Sequence, residues 1–206
     1  IIKGSDEMNG LSDDYQFIQV NAFAPNLGAE IRGVDISKGV TNAEFDEIHK
    51  AFLKHQVLFF KEQSEIPPSE HVAFGKRFGH LHSHPAAPTM DGYPEIFEIH
   101  ANKNSKIANG EHWHSDVSCD AEPPLGTMLQ IHILPACGGD TLFSNMYDAY
   151  DDLSPDFKRF LDGLTAKHES EHFYRGRYAE RGIDDTNKDY PKATHPLTRM
   201  NHSKKC

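Results

Sequence analysis

The sequence predicts an α+β domain built on an antiparallel sandwich or barrel, with its helices early and most of its strands late. Three observations predict it. Two stretches with helix-start signals and apolar spacing fall before residue 80. Beyond them the texture changes to short apolar runs punctuated by Pro123-Pro124 and Gly138-Gly139. The chain has 206 residues, 37% of them hydrophobic, enough for one domain over 1–206 with a sizeable core.

Residues 1–15 are polar and expected to be mobile. Strand-like character begins at Phe17-Ile18-Gln19-Val20, and residues 26–35 read as a turn and a strand bounded by Gly28 and Gly33. Thr41 and Glu44 stand at capping-box spacing. They precede Phe45, Ile48, Phe52 and Leu53, which share one helical face, and the helix should end near His55. Val57-Leu58-Phe59-Phe60 reads as a buried strand. Pro67-Pro68-Ser69-Glu70 opens a second helix carrying Val72, Phe74 and Phe78, closed by Gly79.

Strands are then expected at 95–99, 112–116, 127–134 and 141–144. Ser154-Pro155 starts a short helix running to about Asp162. Residues 164–170 and 195–200 read as strands, 201–204 as a turn, and 171–193 as a long charged loop or lid. The chain stops at Cys206, where a hairpin's second strand should begin, so the domain is expected to continue beyond it. There is no internal repeat, low-complexity tract or coiled coil.

Composition excludes several classes of partner. The formal net charge of -10 argues against nucleic acid, which needs clustered Lys and Arg. A small anionic substrate fits only where local positive groups or a metal overcome that field. No apolar run approaches the roughly 20 residues that span a bilayer, and no signal peptide is evident, so no membrane partner is expected. The first residue is Ile1, so the natural start is expected upstream. Three cysteines, Cys119, Cys137 and Cys206, make no disulfide framework and read as reduced thiols in the cytoplasm.

Histidine is the unusual count, at 14. His114-Ser115-Asp116 lies in a strand-like run, where alternate residues share a face and an imidazole and a carboxylate can converge on one ion. Two histidines and one carboxylate form the facial triad of non-haem Fe(II) oxygenases. The triplet alone is weak: about two His-x-Asp/Glu pairs arise by chance at this composition, and from spacing alone a polar strand face is the default reading.

The surrounding residues add more. Trp113-His114-Ser115-Asp116-Val117 is followed by Glu122-Pro123-Pro124, Leu134-Pro135 and Gly138-Gly139-Asp140-Thr141. Leu27-Gly28-Ala29-Glu30-Ile31, Phe78-Gly79 with His84-Pro85, the stretch 154–164 and His195-Pro196-Leu197-Thr198-Arg199 complete the series. From about residue 17 onward the chain resembles the taurine dioxygenase (TauD/TfdA) family of Fe(II)- and 2-oxoglutarate-dependent dioxygenases. The resemblance implies a double-stranded β-helix, or jelly-roll, core with flanking helices. It implies His114 and Asp116 as metal ligands, Thr141 as a holder of the 2-oxoglutarate carboxylate, and His84 as a contact to the substrate anion. By the resemblance, the family's third ligand, a histidine, and its 2-oxoglutarate-binding arginine are expected beyond residue 206. Neither His195 nor His202 is therefore assigned as a ligand.

The implied reaction uses Fe(II), 2-oxoglutarate and dioxygen to hydroxylate a small organic anion, with release of succinate and CO2. Beside the heteroatom of a sulfonate or sulfate ester, hydroxylation collapses to an aldehyde and frees sulfite or sulfate. Ala87 stands where the taurine enzymes carry a tyrosine, and an asparagine is missing from the matched position before Trp113. Both departures argue for a substrate other than taurine, and Ala87 for a wider, less polar pocket on its side. An anion at His84 favours the imidazolium form. A homo-oligomer is left open.

Other readings stay in view. His112-Trp113-His114-Ser115-Asp116 is similar to the His-x-His-x-Asp of metallo-hydrolases, although that signature continues with His where this chain has Val117. A non-catalytic jelly-roll binding protein would leave the metal face vestigial. His80, His82 and His84 alternate, as a zinc site or a solvated loop, and Arg175, Arg177 and Arg181 read as a solvated charge run or an anion contact. Trp113 is expected in the core.

Overall fold

A computed structural model of the chain describes residues 15–105, 110 and 112–199. The leading segment up to residue 14, the turn expected at 201–204 and Cys206 lie outside the described residues.

Strand β1 (Gln19–Ala22) pairs antiparallel with β2 (Ala29–Arg32), Gln19 opposite Arg32. On its other side β2 pairs in parallel with β3 (Leu58–Phe60), Ala29 opposite Leu58. A parallel pair needs a crossover, and α1 (Asn42–His55) supplies it. That helix begins as the sequence predicts: the Thr41 hydroxyl accepts from the Glu44 backbone N–H, and the Glu44 carboxylate accepts from the Thr41 backbone N–H at 2.8 Å. Its buried face is Ile48, Ala51 and His55.

The core sits between this sheet and its helices. Ile31 and Ile48 are fully buried, joined by Ile18, Val34, Ile36, Ala51, Ile66 and Phe74. Helix α2 (Pro68–Lys76) adds Phe74, whose ring meets Phe78 edge-on at 5.4 Å, and Phe45 meets Phe78 at 4.8 Å. Glu47 on α1 ties down the entry to β1. Its carboxylate accepts from the backbone N–H groups of Gln16, Phe17 and Ile18 at 2.7, 2.9 and 3.1 Å. Burial raises the Glu47 pKa, but these three donors outweigh it and hold the pKa below the usual range.

The rest of the described chain carries two hairpins and three short helices. Strands β4 (Thr89–Met90) and β5 (Tyr93–Phe97) pair antiparallel. Helices α3 (Met146–Asp151) and α4 (Pro155–Leu161) follow, the second capped by Ser154, whose hydroxyl accepts from the Phe157 N–H at 3.2 Å. Strands β6 (Thr165–Glu169) and β7 (Lys192–Pro196) flank α5 (Glu171–Tyr174) and are paired with Ala166 opposite His195. The α+β class is thus present, its strands falling into sheets of three, two and two among the described residues.

Three expected strands are not formed. Residues 112–116 run extended into a turn at 116–119, where Val117 takes φ 49° and the Asp120 N–H reaches the Val117 carbonyl at 3.0 Å. Residues 127–134 and 141–144 have no neighbouring strand among the described residues, and a ladder needs a partner for its N–H and C=O groups. Leu129, Ile131 and Ile133 alternate as expected but stand 61%, 64% and 82% exposed. Trp113, expected in the core, is 70% exposed.

The expected loop at 171–193 is more ordered than predicted, with α5 and a 3-10 turn at Ala179–Arg181. Arg175 staples it from inside: its guanidinium donates to the carbonyls of Asp185 at 2.7 Å and Lys188 at 2.9 Å. Among the described residues, no helix is long and apolar enough to cross a membrane.

Candidate metal centre

His114 and Asp116 come together without a strand to align them. His114 Nε2 lies 3.2 Å from Asp116 Oδ1. The other polar atom of each side chain is already engaged. His114 Nδ1 stands 2.7 Å from the His112 carbonyl oxygen. A carbonyl only accepts, so Nδ1 carries the proton and, in the neutral ring, Nε2 presents its lone pair. Asp116 Oδ2 accepts from the Thr127 hydroxyl at 2.7 Å. At this separation Nε2 and Oδ1 share either a proton, as an imidazolium–carboxylate pair, or, with the ring neutral, a cation held between two lone pairs. Cis ligands about 2.1 Å from an octahedral ion are about 3 Å apart, so the spacing suits a first-row divalent metal.

Thr127 is the residue that sequence reasoning missed. Its neighbour Met128 packs against the core. In extended backbone successive side chains point to opposite sides, which sends Thr127 towards Asp116. The alternation of 127–134 was a partial signal; the contact across the intervening turn was not encoded locally.

His84 lies half-buried on the segment before β4. Its Nδ1 accepts from the backbone N–H groups of Ala86 at 3.1 Å and Ala87 at 2.9 Å, so the proton of the neutral ring is on Nε2. Burial, seconded by the neighbouring His82, pushes its pKa down to about 4; the carboxylates of Asp116 and Asp120 oppose this only partly. The imidazolium expected from the sequence is thereby replaced by a neutral N–H donor. The ring packs against Phe97 at 4.9 Å and Tyr174 at 5.0 Å. Burial first, then the neighbouring ionisable groups of Cys119, Tyr178, Asp116 and Asp120, lifts the Tyr174 phenol to about 12, so it stays protonated beside the site. Ala87, expected to widen a pocket, is buried, its methyl covered by neighbouring atoms.

Thr141 is exposed in an unpaired segment and shares no hydrogen bond with His114 or Asp116 among the described residues. The alternating histidines separate: His80 is exposed, His82 pairs with Asp120, and His84 turns onto its own backbone. Arg175 is spent on the loop and Arg181 donates to the Glu98 carbonyl at 3.1 Å. Among the described residues, no group of three or more His, Cys, Asp or Glu is arranged to hold a metal. His114 and Asp116 fit as two of the ligands of an ion. Cys119 is buried, Cys137 is exposed, and both are free thiols.

Residues 19–205 match the family described as taurine catabolism dioxygenase TauD, TfdA family. An alkylsulfatase of Acinetobacter baylyi is 37% identical over 162 residues, which is 78% of this chain and 50% of that protein. An alpha-ketoglutarate-dependent sulfate ester dioxygenase of Pseudomonas putida is 32% identical over 157 residues, 76% of this chain and 51% of that one. In three dimensions the chain is similar to the crystal structure of a taurine dioxygenase from Burkholderia xenovorans. The TM-score is 0.66 at 29% identity, over 91% of this chain and 60% of that one. The chain spans about half the length of the two sequence relatives.

Proposed function

Because the chain belongs to the taurine catabolism dioxygenase TauD, TfdA family, we propose that it serves an Fe(II)- and 2-oxoglutarate-dependent dioxygenase that hydroxylates a small organic anion, a sulfate ester or sulfonate. The observation that carries the proposal is the 3.2 Å approach of His114 Nε2 to Asp116 Oδ1 with the second polar atom of each side chain already bonded. Those bonds fix the tautomer of one ligand and the orientation of the other before any metal arrives. The names of the alkylsulfatase and sulfate ester dioxygenase relatives support the substrate class.

Iron bound there, with 2-oxoglutarate and dioxygen, supplies the oxidation of a C–H bond coupled to formation of succinate and CO2. The chain's own residues do the rest. The His114 imidazole and the Asp116 carboxylate hold the ion. Thr127 keeps Oδ2 from turning towards it. His84 donates Nε2–H to the oxygens of the substrate's anionic head and needs no added proton to do so. The rings of Phe97 and Tyr174 pack against the imidazole and hold its orientation. The Thr141 hydroxyl donates to a 2-oxoglutarate carboxylate. The reading includes a jelly-roll core, supported by the likeness to the Burkholderia enzyme, and a cytoplasmic setting, supported by the free thiols.

The test is 2-oxoglutarate-coupled oxygen uptake by the intact enzyme across alkyl sulfates, sulfonates and aryloxy acids. Expected is turnover of sulfate esters or sulfonates, with taurine not the best substrate, and loss of turnover in His114→Ala and Asp116→Ala. Ester cleavage without dioxygen would favour the metallo-hydrolase reading, and binding without turnover the non-catalytic one.

A further inference from the structure

The turn that follows the two ligands is gripped from outside by imidazoles. His195, on β7, places Nε2 3.0 Å from the Ser118 carbonyl oxygen and 2.9 Å from that of Asp120, 77 and 75 residues away in sequence. Both partners are pure acceptors, so Nε2 carries the proton and shares it between them. Across the hairpin, the pairing of Ala166 with His195 and of His168 with Ala193 puts both histidine rings on one face. They meet edge-on at 5.4 Å, and His168 Nδ1 reaches the Ser118 hydroxyl at 3.0 Å. His82 in addition pairs with the Asp120 carboxylate. Cys119, between the two gripped residues, is buried.

This grip matters because the turn has no ladder of its own. Val117 occupies the left-handed region at φ 49°, unusual for a β-branched residue, and such a conformation persists only where its surroundings enforce it. Asp116 is the residue just before it. A relaxed turn would swing the carboxylate relative to His114, whose own anchor is the separate bond to the His112 carbonyl.

We infer that His195 is a positioning residue for the metal centre: its Nε2–H clamps the Ser118 and Asp120 carbonyls and so aims Asp116 at the ion. The inference rests on the proposed role of His114 and Asp116. It goes beyond that role by assigning a function to a histidine that is not itself a ligand.

The experiment exploits the shape of two amides. A glutamine places its N–H2 where the imidazole has Nε2; an asparagine reaches only as far as Nδ1. Co(II) affinity is measured by anaerobic titration of the intact enzyme and of its His195→Gln, His195→Asn and His114→Ala variants. Amide hydrogen exchange of residues 116–121 is followed in the metal-free proteins. Expected is a metal affinity about 10- to 100-fold weaker in His195→Asn, the range seen when an outer-shell partner is removed, with faster exchange in the turn. His195→Gln should restore both towards the parent values. Parent-like affinity in His195→Asn, or equal losses in the Asn and Gln variants, overturns the clamp. If His114→Ala loses the metal while His195→Asn does not, only the clamp falls; if His114→Ala retains parent affinity, the metal reading falls and the clamp with it.

Discussion

The Thr127 hydroxyl donates to the Asp116 carboxylate at 2.7 Å, across 11 residues of chain. The bond occupies Oδ2 and leaves Oδ1 facing His114 Nε2. Thr127→Val keeps the shape and removes the donor, so metal affinity should fall about tenfold while the fold is retained. Thr127→Ser should recover most of the loss. Anaerobic metal titration of both variants is the check, and equal affinity in parent and Thr127→Val removes Thr127 from the site.

His84 is expected to act as a neutral donor. Its pKa of about 4 means that substrate affinity should not follow histidine protonation between about pH 5.5 and 8. His84→Ala should raise KM for the anion about tenfold or more, since a hydrogen bond to a charged group is worth about 1.5–3 kcal/mol. A KM that rises as pH climbs through 6.5 would show that the charged ring is the binder.

The same shift bears on stability. The folded pKa lies below the unfolded value near 6.5, so the unfolded chain binds more protons between the two. Stability from this group is full above about pH 6.5 and is lost as pH falls towards 4, when protonation of Nδ1 breaks its bonds from Ala86 and Ala87. Denaturant unfolding against pH should show that slope, and His84→Gln should flatten it.

Thr141 is exposed; if its hydroxyl donates to a 2-oxoglutarate carboxylate as proposed, that charge-assisted bond is worth about 1.5–3 kcal/mol. Thr141→Val should weaken 2-oxoglutarate binding roughly tenfold or more and spare the metal. Calorimetry with metal-loaded protein separates the two affinities.

Ile48 tests the core between the three-stranded sheet and its helices. It is fully buried on α1 against Ile31 and Phe74. Ile48→Ala should cost about 2–5 kcal/mol in denaturant unfolding, through lost burial and the cavity left behind. Thr41→Ala, which removes the hydroxyl of the capping box, should cost about 1 kcal/mol.

Much of the N-terminal half was legible because its signals are local. Thr41, Glu44 and the spacing of Ile48 define α1, and Leu58-Phe59-Phe60 pairs where an apolar run bounded by polar residues should. The middle was less legible. The alternation of Leu129, Ile131 and Ile133 reports a two-sided strand, yet pairing is a property of the neighbour and no neighbour is written into those residues. His114 and Asp116 were found through a strand that is not there. What brings them together is a turn at Val117, a carbonyl at His112 and a hydroxyl at Thr127, of which only the sequence proximity was visible. Helix α3 carries no buried residue and so left no apolar stripe to read; its start rests on Asn145, whose side chain accepts from the Tyr147 N–H at 3.0 Å.

The most direct test of the metal centre is the visible charge-transfer absorption that appears when Fe(II) and 2-oxoglutarate bind one site together. It is recorded without dioxygen on the intact enzyme and on His114→Ala and Asp116→Ala. The band should develop in the parent protein with saturation in both components and be absent from both variants. A band of parent intensity in either variant would contradict the assignment of His114 and Asp116 as the ligands.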